Sequence, residues 1–278
     1  MTDFSRLNQV QPLAQVRIVL VEPQGARNVG SVARVMKNMG LGRLVLVNPQ
    51  CDPGGDEARQ MAVHAADVIQ AAVTVRSLPD ALQGCQRAIA TTARHQAFQR
   101  PVDLPQAGIH WLLASLGATE MGGDRALIFG PEDRGLSNGE IDFAQRCITI
   151  PTSPVYPSLN LAQAVAICCY ELRQWELRQW GSTAPPSRTP IPPAGEPSSP
   201  DENWGDLATL DEVEAFYEHL ETVLLNIGYL YPHTAVSRMR KFRRLSQRVN
   251  LTQNELALLR GILRQVEWAV QSTMPKPS

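Results

Sequence analysis

Ser158-Leu159-Asn160-Leu161 closes a series that opens with Asn28-Val29-Gly30-Ser31-Val32-Ala33-Arg34 and passes through Phe129-Gly130-Pro131-Glu132-Asp133-Arg134-Gly135-Leu136. Each stretch sits where an apolar run of strand length hands over to a turn or a helical pattern. Open α/β sheets collect ligands beyond the carboxyl ends of their strands. The order of the three stretches therefore puts function between residues 22 and 161.

Working outward, apolar and β-branched runs recur at 16–21, 44–48, 88–91, 126–129 and 147–150, separated by segments long enough for helices. That alternation predicts an α/β fold with a mostly parallel sheet flanked by helices. Val32, Val35, Met36 and Met39 follow helical spacing, with Gly40 positioned as the C-terminal cap. A further helix is expected to start near Leu159 and to run through the repeated Glu-Leu-Arg-Gln-Trp of 171–180, whose five-residue period matches no helical face. Residues 181–203 carry seven prolines among Ser, Thr and Gly and read as a linker. Beyond it, Thr209 with Glu212 and Thr252 with Glu255 form candidate capping boxes ahead of apolar positions at helical spacing. The expected organisation is a domain over 1–180, the linker, and a small helical domain over 204–278.

Apolar residues make up 44% of the 278, enough for a buried core, and the net charge of −1 argues against attraction of nucleic acid by the whole molecule. Any RNA contact must come from a local patch. Five cysteines (Cys51, Cys85, Cys147, Cys168, Cys169) lack C-x-x-C spacing and a neighbouring histidine cluster. They read as buried thiols of a reducing cytoplasm, with neither a metal site nor disulfides. No stretch approaches the roughly 20 apolar residues that span a bilayer, so a cytoplasmic protein without a membrane partner is expected.

The turn 25–31 resembles a phosphate loop only superficially, because Val29 and Gly30 stand where the lysine before Ser31 would be required. The usual dinucleotide fingerprint is also missing after the first strand. What remains is a helix start with amides at 29–31 beside Arg27 and Arg34, suited to an anion such as a backbone phosphate. The plainer reading is that Asn28 caps the helix and Arg34 is solvated. Ser158 and Asn160 can likewise be explained as caps, and Glu132 as a residue that caps amides or pairs with Arg134. Glycine at 130 suits a backbone that approaches a ligand closely. Farther on, Arg238-Met239-Arg240-Lys241-Phe242-Arg243-Arg244-Leu245-Ser246-Gln247-Arg248 holds six cations and no acid, with Met239, Phe242 and Leu245 at helical spacing. One face should pack and the other contact phosphates.

Together the three stretches resemble the motifs of SPOUT-class RNA ribose 2′-O-methyltransferases, and within that class the bacterial TrmJ family; 18–22 and 44–49 look like that family as well. The resemblance covers about residues 16–178. It implies a trefoil-knotted α/β domain that binds S-adenosylmethionine, works as a homodimer without a metal, and methylates the ribose of nucleotide 32, cytidine and also uridine, in the anticodon loop of tRNA. It implies cofactor contacts at Thr91, Thr92, Ala93, Gly130, Ile150, Pro157, Ser158 and Leu159, with adenine against the apolar wall of Ile150, Leu159 and Leu161. Asn28, Ser31, Arg34, Glu132, Ser158 and Asn160 become the candidate catalytic residues, and Arg27, Arg34, Arg240, Lys241, Arg244 and Arg248 the RNA contacts. Pro131 departs from the pattern, because bacterial members often carry a basic residue there.

Within this resemblance Arg34 is the leading residue. A guanidinium stays charged in proteins, so its expected work is to stabilise the developing alkoxide and anchor phosphate rather than to remove a proton. The alternatives are a ribose methyltransferase of the same fold acting on another tRNA position or on ribosomal RNA, and a knotted RNA-binding protein without transfer activity.

Overall fold

The computed structural model describes residues 12–93, 102–114, 123–179, 206–246 and 251–273. After a short 3₁₀ turn, Pro12–Gln15, the chain forms β1 (Val16–Val21), α1 (Ala26–Asn38), β2 (Arg43–Val47), α2 (Asp56–Ala62), α3 (Ala66–Gln70), β3 (Val73–Val75), α4 (Leu78–Leu82) and β4 (Cys85–Thr91). Then follow β5 (Val102–Asp103), α5 (Pro105–Leu113), β6 (Asp124–Phe129), α6 (Asn138–Ile141), β7 (Arg146–Ile148), α7 (Leu161–Gln179), α8 (Leu210–Asn226), α9 (Pro232–Ser246) and α10 (Gln253–Thr273).

The strands make one parallel sheet in the order β3-β2-β1-β6-β4-β7-β5. Its central strands are apolar at nearly every position because both faces are covered. Period-two alternation sorts them. Ile18, Leu20, Leu44, Leu46, Leu127 and Phe129 enter one core with Val29, Val32 and Met36 of α1 and Val165, Cys168 and Leu172 of α7. Val19, Val21, Val45, Val47, Ala126 and Ile128 enter the other, with Leu78, Leu82 and Ile141. The first strand lies between β2 and β6, so the chain's winding reverses there, and the carboxyl ends of β1, β6, β4 and β7 open onto one end of the sheet.

Gly40 does end α1: at φ +79° it follows the Met39 cap, and its N–H and that of Leu41 donate to the Lys37 and Met36 carbonyls, closing a Schellman turn. The start differs from expectation, because α1 begins at Ala26 and Asn28 lies inside its first turn. Two short strands carried no legible signal: β3 is mostly exposed and β5 has two residues. The final helix of the first unit starts at Leu161 rather than 159 and takes in the repeat up to Gln179. The proline-rich stretch 181–203 lies outside the described residues.

Helices α8 to α10 build a separate core around Phe216, Tyr217, Val223, Met239, Leu256 and Leu263. Both expected capping boxes form, at Thr209 with Glu212 and at Thr252 with Glu255. This bundle rests on the far side of the sheet from α1. The Gly84 amide donates to Asp211 (2.9 Å), Gln86 Nε2 donates to the Leu207 carbonyl (3.2 Å), and Arg240 Nε pairs with Asp142, the C-cap of α6 (2.8 Å).

Candidate functional site

Beyond the carboxyl ends of β4, β6 and β7 lies a solvent-open cavity of about 240 Å³. All eight residues expected to touch a cofactor line it: Thr91, Thr92 and Ala93 after β4, Gly130 after β6, Ile150 after β7, and Pro157, Ser158 and Leu159 before α7. Phe129, Leu136, Ile148 and Leu161 complete an apolar wall. The Thr91 hydroxyl is committed to the Ile128 carbonyl (3.0 Å) and the Thr92 amide to the Ile148 carbonyl (2.9 Å). Glycine at 130 lines the cavity and has a packing reason besides the expected one. A Cβ there would collide with the Leu136 amide and the Gly135 carbonyl carbon, so it is the loop's own return that excludes a side chain.

Glu132 gathers the first and second sequence stretches. Its Oε2 accepts from the Gln24 amide (2.9 Å), and its Oε1 accepts from the Gly25 amide (3.1 Å) and from Asn28 Nδ2 (2.7 Å). Partial burial disfavours the charge, yet these donors hold the carboxyl below the usual carboxylate range. Asn160 adds the third stretch: its Nδ2 donates to Asn28 Oδ1 (3.0 Å), while its own Oδ1 accepts from the Ala162 amide (2.9 Å) and so caps α7. Asn28, Glu132, Ser158 and Asn160 all line a second, open cleft with Thr152, Ser153, Tyr156 and Gln163. This cleft shares Glu132, Ser158, Leu159 and Leu161 with the first cavity.

The expected anion site at the start of α1 is corrected. The amides of Asn28 and Val29 donate to the Gly25 carbonyl, Val29 and Gly30 are buried, and the Gln24 and Gly25 amides are taken by Glu132. The position a phosphate would fill already holds a carboxylate. Gly30 serves packing instead, since a Cβ there would run into the Ala58 carbonyl of α2. Asn28 is not the cap of α1, and Glu132 does not pair with Arg134, which instead bridges Glu22 (2.7 Å) and Glu140 (2.9 Å).

Ser31 and Arg34 part from the other candidates. With Arg27 they lie along one side of α1, Arg27 and Arg34 exposed and Ser31 half-buried, and neither lines either cavity of its own chain. The Ser31 hydroxyl donates to the Arg27 carbonyl (2.8 Å), and Arg27 lies 3.5 Å from Glu57. Among the described residues no carboxylate pairs with Arg34. Sequence reasoning missed Glu22, which takes a left-handed conformation (φ 47°) right after β1 and accepts from Asn48. It also missed Tyr156 in the cleft and α6, whose Ser137-x-x-Glu140 capping box was a readable signal.

The basic run of α9 is less free than its charge suggests. Arg240 is paired with Asp142, and Arg243 is turned inward against Glu214 and the Tyr217 ring. Lys241 is exposed, the Arg244 side chain is not among those described, and Arg248 lies outside the described residues. A further cavity of about 200 Å³ between α4, α6 and α8 holds none of the expected site residues. All five cysteines are free; four are buried, and Cys51 is half-buried rather than fully so. Among the described residues no helix is long and apolar enough to cross a membrane, and no His/Cys/Asp/Glu cluster suits a metal.

Comparison with known proteins shows the family. Residues 15–170 match the SpoU rRNA methylase family, and residues 211–275 match the C-terminal domain of the tRNA methyltransferase TrmJ. The chain is 37% identical to the tRNA (cytidine/uridine/adenosine-2′-O-)-methyltransferase TrmJ of Pseudomonas aeruginosa, over 92% of this chain and 95% of that protein. It is 38% identical to the tRNA (cytidine/uridine-2′-O-)-methyltransferase TrmJ of Pectobacterium atrosepticum, over 92% and 98%. Among solved structures, TrmJ from Z. mobilis ZM4 superposes with a TM-score of 0.73 at 30% identity, covering 90% of this chain and 98% of that one.

Proposed function

The chain belongs to the SpoU methylase family and carries the C-terminal domain of its TrmJ branch, and on that premise we propose that it transfers a methyl group from S-adenosylmethionine to a tRNA ribose 2′-hydroxyl, at nucleotide 32 of the anticodon loop. The observation that carries this reading is the convergence of the three sequence stretches on one open cleft through Glu132, Asn28 and Asn160, beside the cavity lined by all eight expected cofactor residues. A ribosomal-RNA substrate is the second reading, because the family description names rRNA. The TrmJ-type C-terminal domain and the relatives' names weigh against it.

The cavity fits the cofactor chemically. It combines an apolar wall from Ile150, Leu159 and Leu161 with backbone from three strand ends, the mixture that holds a planar base while reading its edge. When bound, S-adenosylmethionine supplies a methyl already activated on a sulfonium sulfur. The protein therefore needs no nucleophile of its own; alignment and charge stabilisation remain. Asn28 and Asn160, fixed to each other, present amide groups on the substrate side of the cleft and orient the ribose. Glu132 positions both by holding the start of α1. Arg34 supplies positive charge to the alkoxide as it forms and to the adjoining phosphate.

Arg34 lies outside its own chain's cavities, so the reading requires a homodimer in which one protomer's Arg34 serves its partner's site. Support comes from the cavity itself, which is open to solvent and continuous with the second cleft, and so leaves a side for a second chain to cover. The same reading includes a trefoil knot around the cofactor, a division into 1–180, 181–203 and 204–278, and a cytoplasmic location with access to tRNA.

The test is transfer of labelled methyl to unmodified tRNA, followed by mapping of the product. Ribose methylation at nucleotide 32 is expected. Methylation elsewhere would reassign the position, and transfer to ribosomal RNA alone would overturn the substrate.

A further inference from the structure

We infer that the turn between α8 and α9, with the first turns of α9, is a stacking platform for unpaired RNA bases, built on Tyr229, Tyr231 and His233 and flanked by Arg238 and Lys241. The inference rests on the reading that the substrate is RNA, and it assigns part of the recognition to rings rather than to the cationic run.

Tyr229 is 52% exposed and Tyr231 56%, within three residues of each other. A ring left in water on a small domain forgoes the burial that makes aromatic residues useful in a core. Here the rings are also ordered. His233 stacks on Tyr231 with centroids 5.9 Å apart and planes 21° from parallel. Phe242 braces Tyr229 at 6.4 Å, and Arg238 lies over its ring at 5.7 Å while donating to its carbonyl.

The backbone beneath is pinned. Leu230 is buried, its amide donates to the Leu224 carbonyl, and the Tyr231 carbonyl accepts from Thr234 and Ala235 at the start of α9. Rings held this way lose little freedom on binding.

Charge selects the occupant. The segment 232–246 contains no acidic residue, and Arg238 and Lys241 are exposed one helical turn apart. An apolar protein partner would gain nothing from those cations, whereas a nucleotide offers a π-face to the tyrosines and a phosphate to the cations.

The experiment uses the full chain and two probes, an unmodified tRNA transcript and an oligouridylate, titrated at several salt concentrations. Tyr229→Leu and Tyr231→Leu keep apolar bulk and remove the ring; Tyr231→Phe keeps the ring. Each leucine variant is expected to weaken both probes about tenfold or more, with an unchanged slope of log affinity against log salt because no phosphate contact is lost. The phenylalanine variant should bind like the parent. Cofactor affinity and kcat at saturating tRNA should hold while KM rises.

Unchanged affinity in the double leucine variant overturns the platform, as does equal loss in leucine and phenylalanine variants. A change of oligomeric state with RNA affinity intact overturns it too, by assigning the patch to a contact between copies of the chain. If the parent binds the oligouridylate through these rings but transfers no methyl to tRNA, the proposed activity fails and the platform stands. If transfer proceeds while the leucine variants bind normally, only the platform fails.

Discussion

Replacing Glu132 by glutamine keeps the shape of the side chain and removes its charge and one of its two acceptor oxygens. In the native protein three donors meet that carboxylate: the Gln24 amide, the Gly25 amide and Asn28 Nδ2. A glutamine oxygen can keep the last two, leaving its NH₂ facing the Gln24 N–H. Hydrogen bonds to charged groups are worth roughly 1.5–3 kcal/mol against about 0.5–1.5 for neutral ones, so the two retained bonds lose about 1 kcal/mol each. Gln24 is exposed, so water can take its amide and the third loss is small. The expected destabilisation is about 2–3 kcal/mol, which for a domain of this size lowers Tm by roughly 5–10 °C. The effect has a pH signature. The native carboxyl lies below its unfolded value, so its contribution is complete above the unfolded value of about 4.3 and disappears as pH falls through the folded one. Tm of parent and Glu132→Gln, measured between pH 7.5 and 3.5, should therefore converge on acidification. A constant gap across that range, or no gap at neutral pH, would refute the role given to Glu132.

Gly130→Ala should cost about 1–3 kcal/mol through overpacking against the Gly135–Leu136 backbone and weaken S-adenosylmethionine binding in calorimetry; unchanged affinity would show the loop tolerates a Cβ. Arg34→Ala should abolish methyl transfer while leaving cofactor affinity and Tm intact, since its side chain pairs with no described carboxylate. Full activity in that variant would remove Arg34 from the chemistry. Asn160→Ala should cost about 0.5–2 kcal/mol as a lost cap and raise KM for tRNA through release of Asn28, both readable from melting and steady-state kinetics. Thiol labelling of the native protein should reach Cys51 alone and slowly, because burial raises its pKa as well. Burial pushes Cys85 and Cys168 up to about 12, so rapid native labelling at either would contradict the packing.

The sheet was legible because its central strands are long and buried on both faces, and periodicity reports burial. It fell silent at Val73–Val75, which is mostly exposed, and at Val102–Asp103, too short to show any period. The eight residues that the family resemblance implied for the proposed cofactor line one cavity because they follow strand ends, whose order the sequence fixes. Hydrogen-bond partners were not legible. Nothing in the spacing of Asn28 and Glu132 says that a carboxylate 104 residues away fills the start of α1, and a basic run cannot announce that Arg240 and Arg243 already have acidic partners. Gly130 is a case in point: a glycine signals close approach but not to what, and the return of the chain at Gly135–Leu136 was not legible.

The carboxylate seated at the start of α1 also bears on ligand discovery. A helix end that carries its own tethered anion has little to offer a phosphate mimic, because displacing Glu132 would cost the bonds that tie the start of α1 to the second motif. Compounds built around phosphonates, sulfonates or nucleotide polyphosphates should therefore rank poorly at this end of the sheet. Neutral molecules with a flat apolar head for the wall of Ile150, Leu159 and Leu161 match what the protein leaves available.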